Sequence, residues 1–150
     1  MNQKILRVVQ KVFFPLELIA VALVSLRYFL KEESAIMTGA GFILLGVLYF
    51  FSAYFAATPG ISGFATFSKR LLGVSLSVAI IGIYFAFLNF PGAKAILTIG
   101  VTTTVISLIL LLIEILRKSE TANLVKFAVI RGLVISILAA LILYFTDFNA

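Results

Sequence analysis

Glu17 and Arg131 are ionisable residues set well inside apolar runs, in FFPLELIAVAL (13–23) and FAVIRGLVISI (127–137). A charge placed in hydrocarbon costs about 2.5–3.5 kcal/mol on insertion scales, so each is a functional candidate by default. At 1.5 Å per helical residue, Glu17 lies about 8 Å and Arg131 about 10 Å from the same end of their segments. Equal depth suits an ion pair that staples the last apolar segment to the first. The alternatives are an Arg131 that snorkels to the headgroups, and a Glu17 that sits protonated or handles protons from a water crevice.

The remaining polar residues suggest quieter chemistry. Glu114 precedes Lys118 by four residues, the favourable order for a helix pair, which predicts an interfacial salt bridge. Thr102, Thr103, Thr104 and Ser107 form a polar patch. Their hydroxyls would bond back to carbonyls one turn earlier, bond across to another helix, or line a solute path. Gly132, Ser136 and Ala140 repeat at four-residue spacing, a small-residue stripe fit for close helix packing within the chain or against another protein. With no Cys and no His, the usual zinc, haem and iron–sulfur ligand sets are missing, along with thiol nucleophiles and Ser-His-Asp triads. No cofactor and no metal is expected.

These residues must be carried by membrane-grade elements. The chain has 150 residues, 63% hydrophobic and 12% charged, where a soluble domain has about 45–50% and 25%. Apolar length and breakers divide it into five segments, at about 12–30, 35–57, 71–90, 95–116 and 124–145, each meeting the roughly 20 residues of one crossing. Backbone amides in hydrocarbon need internal partners, so each segment is expected to be helical. The expected fold class is all-α, a single polytopic domain over 1–150 with five transmembrane helices. The uncharged linker TPGISGFATFS (58–68) is expected at the inner interface, with a re-entrant loop as the alternative.

Net charge is +6, with Lys and Arg scattered singly or in pairs, a pattern that sets topology rather than one that binds nucleic acid. A cytoplasmic N-terminus puts Lys4, Arg7, Lys11, Lys69, Arg70, Arg117, Lys118, Lys126 and Arg131 inside, leaving Arg27, Lys31 and Lys94 outside. The expected topology is therefore N-in and C-out. The basic start resembles a signal peptide, but its apolar stretch is too long and lacks a small-residue cleavage site.

Two hairpins of like direction follow, with the fifth helix as an addition. AIMTGAG (35–41) is echoed by AILTIGV (95–101), which suggests a parallel repeat. Asn89, Pro91 and Gly92 interrupt the second pair as its outer turn, because proline cannot continue a helix and glycine permits reversal.

The stretch IIGIYFAFLNFPGAKAILTIG (80–100) resembles a hairpin of inner-membrane proteins from gliding bacteria and their relatives. That family reads Gly-x-Leu-Phe-Lys-Ile-Leu-His-Trp-Pro-Gly-Ala, then an apolar Leu/Ile-Gly stretch, and includes the membrane subunit of the gliding and type IX secretion motor. The resemblance implies a bacterial inner membrane and a periplasmic hairpin loop, in agreement with the charge count. The family's lysine falls on Ala86 and its histidine on Asn89. The motor's intramembrane glutamate falls on Thr103 or Thr104, so the resemblance does not imply the motor's proton site.

The expected function is that of a non-enzymatic structural or assembly subunit of a membrane complex. Its partners would be the lipid bilayer and other membrane subunits, or copies of itself met through the fifth helix. The alternative is a small channel or carrier with Glu17 as its sensitive group and the threonines along its path. A lipid-modifying enzyme would need a second carboxylate or a histidine near Glu17, and neither is present.

Overall fold

A computed structural model describes residues 3–30, 35–54, 62–117 and 119–145, with side chains over 12–25, 36–54, 62–117 and 125–145. The described chain is all-helical: α1 (Gln3–Leu30), α2 (Ala35–Tyr54), α3 (Gly63–Phe87), α4 (Ala93–Arg117) and α5 (Ser119–Phe145). Four of these, α2 to α5, hold spans long and apolar enough to cross a membrane, and α1 carries a shorter apolar stretch, Val12–Ser25. The outward faces are apolar too, with Ile43 and Val47 on α2, Ile106 and Ile109 on α4, and Val134 and Ile137 on α5 all exposed. Such continuous apolar surface is what lipid, rather than water, covers. The chain is a helical bundle built for insertion into a membrane.

Helix ends depart from the apolar segments for identifiable reasons. α3 begins at Gly63 rather than near 71, because Ser62 caps it: the Ser62 Oγ accepts from the Ala65 N–H at 3.1 Å. Residues 63–68, expected as interfacial linker, are thus its first turns. Thr58, Pro59 and Gly60 lie outside the described residues. α1 and α5 likewise begin earlier than expected, at Gln3 and Ser119. Hydropathy marks the part of a helix that sits in hydrocarbon, while the helix itself continues through polar residues beyond it.

The turn between α3 and α4 is built by two linked devices. Asn89 takes the left-handed conformation (φ 52°). The Phe90 N–H then donates to Phe85 O at 3.0 Å and the Asn89 N–H to Ala86 O at 3.1 Å, the bond pair of a Schellman cap. Pro91 and Gly92 (φ 86°) follow as the middle of a type II turn closed by Ala93 N–H on Phe90 O at 3.2 Å.

α3 is the centre of the bundle and packs against α2, α4 and α5, while α1 packs along α2. α3 and α4 are nearly in backbone contact. A Cβ on Gly82 would stand 2.9 Å from the Leu97 backbone, and one on Gly100 2.6 Å from that of Ala79. The two stretches matched in sequence sit in different surroundings. Thr38 is buried and Thr98 exposed, while Met37 is exposed and Leu97 fully buried.

Candidate functional site: a polar cluster on three helices

Glu17, Tyr49 and Arg131 bring α1, α2 and α5 together. The Arg131 guanidinium lies 2.8 Å from the Glu17 carboxylate, with side chains 32% and 15% exposed respectively. The Tyr49 hydroxyl donates to the other Glu17 oxygen. Each oxygen of the carboxylate thus has its own partner, one charged and one neutral. Phe13 completes the cluster, its ring centroid 5.2 Å from the Arg131 guanidinium and edge-on to the Tyr49 ring at 5.9 Å.

Tyr49 is held from beneath by a tight crossing. Gly73 of α3 lets that helix approach so closely that a Cβ would stand 2.9 Å from Ala53 N and Ser52 Oγ, and 3.0 Å from Tyr49 O. The Ser52 hydroxyl donates to the same Tyr49 carbonyl at 2.6 Å. Tyr49 and Phe13 carry no charge, so nothing in the sequence marked them as partners of the pair as plainly as Glu17 and Arg131 marked each other. The available signal was the phenol about 12 Å from the end of the apolar run 35–57, a depth close to that of Arg131 at the helical rise.

Glu114 is buried, 4% exposed, and accepts the Ser62 hydroxyl at 2.5 Å. It continues the inward face of α4 that carries Ala93, Leu97, Gly100, Thr104, Ser107 and Leu111, and so meets the start of α3 instead of an exposed rim. Ser62 serves as a relay, accepting from the α3 backbone and donating to the carboxylate. A carboxylate there also suits the positive end of the α3 dipole. Lys118, the expected partner, lies outside the described residues.

The hydroxyl patch on α4 turns back on its own helix. Thr103 donates to Ile99 O at 2.8 Å, Thr104 to Gly100 O at 2.7 Å and Ser107 to Thr103 O at 2.7 Å. Thr104 and Ser107 are fully buried, whereas Thr102 is exposed.

On α5 the small stripe is corrected by one residue. Gly132 and Ser136 face inward, but Ala140 is exposed and Ala139 takes the buried position. The reason is the 3.6-residue repeat, which returns to one face at steps of four and then three. Gly132 seats against this chain's own Leu108 and Leu72, where a Cβ would stand 2.9 and 3.1 Å away. The stripe therefore packs α5 onto α3 and α4, not outward. The Ser136 hydroxyl is buried with no hydrogen-bond partner among the described residues.

Among the described residues no three Cys, His, Asp or Glu side chains gather where a metal ion could be held. No family model, no curated protein and no solved structure matches the chain.

Proposed function

We propose that the chain is a non-enzymatic scaffold of a bacterial inner membrane, a structural or assembly subunit that offers apolar helix faces to lipid and to neighbouring subunits. α1 is on this reading the fifth crossing. The chain then forms two hairpins of like direction and a final helix, with the N-terminus cytoplasmic and the C-terminus periplasmic as the Lys and Arg distribution favours. The kinship suggested by the 80–100 hairpin points to the same membrane.

The observation that carries this reading is how the intramembrane polar groups are used. Glu17 is closed by Arg131 and Tyr49, Glu114 by Ser62, and the hydroxyls of Thr103, Thr104 and Ser107 by their own helix. Groups committed to one another fix helices in place and leave little to coordinate a solute. The side of α5 opposite Gly132 offers a continuous apolar face through Ile130, Val134, Ile137 and Leu141.

The test is native mass spectrometry of the protein extracted in mild detergent, with a photocrosslinker at Val134. The expected result is a stoichiometric membrane partner, or a second copy, captured through Val134. A homogeneous monomer with crosslinks to lipid alone contradicts the subunit reading.

A further inference from the structure

α1 runs unbroken through Pro15. Proline has no N–H, so the Lys11 carbonyl loses its helical donor, and the ring crowds the preceding turn. Helices usually kink at such a point. Neighbouring helices make an interior proline tolerable in a membrane by supporting the weakened turn. Among the described residues α1 packs along α2 and reaches α5 through Phe13 and Glu17 on Arg131.

The groups that supply it straddle the proline. Phe13 and Glu17 lie one turn apart on the same face, two residues before Pro15 and two after it. Arg131 of α5 grips both, its guanidinium 2.8 Å from the Glu17 carboxylate and 5.2 Å from the Phe13 ring centroid. Tyr49 of α2 grips both again, with its hydroxyl donating to Glu17 and its ring meeting the Phe13 edge. Two side chains from two other helices thus bridge the same break. Tyr49 is itself fixed by the Gly73 crossing, which makes it a firm anchor.

We infer that Arg131 and Tyr49 form a splint across Pro15, and that the part of α1 before the proline is a hinged arm held in place by them. The device is conditional. Drawing Arg131 away from the pair frees the arm at Pro15 while leaving the part of α1 after the proline on α2. The inference goes beyond the scaffold reading and stands whether the protein is a subunit or a carrier.

The chain has no cysteine, so paired nitroxide labels at introduced cysteines report distances without background. Val12, Ile19, Phe67 and Ile113 are exposed and suited to labelling. Val12 with Phe67 measures the arm, Ile19 with Phe67 the rest of α1, and Phe67 with Ile113 the α3–α4 pair as a check on folding. Arg131→Gln should broaden and shift the Val12–Phe67 distances and leave the other two pairs narrow. Adding Pro15→Ala should return the arm to its native distance, because an unbroken helix needs no splint. Should Arg131→Gln fail to fold, Tyr49→Phe carries the same comparison, since it removes the Glu17 bond and keeps the ring. Unchanged arm distances, equal broadening on both sides of Pro15, or no recovery with Pro15→Ala would each overturn the inference.

Discussion

Arg131 and Glu17 stabilise each other more than either stabilises the bundle alone. Removing one member of a largely buried pair strands the other, at a cost of about 3–5 kcal/mol, whereas removing both at once costs far less. Arg131→Gln should therefore be the more damaging single change, because Glu17 keeps only its Tyr49 donor. Glu17→Gln should be milder, with an amide still able to accept from Tyr49. The double change should recover at least about 1 kcal/mol relative to the sum, a coupling that a thermodynamic cycle in mixed micelles measures directly. The charged pair was legible from sequence because two ions at one depth in hydrocarbon have few other partners. Tyr49 was not, since a phenol beside Phe50 and Phe51 in an apolar run reads as ordinary packing until its neighbour is known. Glu114 has a partner that spacing alone does not reveal: the phase of the helix buries the carboxylate against Ser62, while Lys118 lies outside the described residues.

Helix pairing is governed by the absence of side chains at a few points. A methyl on Gly100 would stand 2.6 Å from the Ala79 backbone, which cannot yield as a flexible side chain would. Gly100→Ala should thus cost about 1–3 kcal/mol by overpacking. Gly63→Ala meets nothing within 4 Å, and should instead stabilise by about 0.4–1 kcal/mol through the unfolded chain. Detergent-titrated unfolding of the two variants gives opposite signs on this account. At the turn between α3 and α4, Asn89 occupies φ 52°, where a β-branched residue is strained. Asn89→Val should cost about 1–2 kcal/mol and Asn89→Gly little or nothing. That turn was readable as far as Pro91 and Gly92 marked a reversal. The Schellman closure was not, because it depends on which carbonyls the helix leaves free. The start of α3 at Ser62 escaped for the opposite reason: hydropathy is blind to a cap, and the serine looks like any other linker residue. The four-residue stripe on α5 slipped to Ala139 because helices turn in 3.6 residues, not four.

On the scale of the whole molecule, the apolar exterior and the pairing of Glu17 and Glu114 with groups of this same chain belong to one design, in which polar side chains tie helices together and apolar ones face outward. If the Lys and Arg distribution sets topology, Phe90→Cys should react with an impermeant maleimide only from the periplasmic side. Arg117→Cys should react only after the membrane is opened. The reverse labelling pattern would overturn the proposed orientation. Nothing in the composition distinguishes a scaffold from a small carrier, since both need apolar helices and a few buried ions. The distinction lies in whether Glu17 is committed to Arg131 and Tyr49 or available to a passing ion. Flux across proteoliposomes of the purified protein decides this most directly, with wild type and Glu17→Gln compared under imposed proton and sodium gradients. The scaffold account predicts leak rates equal to protein-free vesicles for both. A gradient-driven flux in the wild type that Glu17→Gln abolishes, with folding intact, would contradict it.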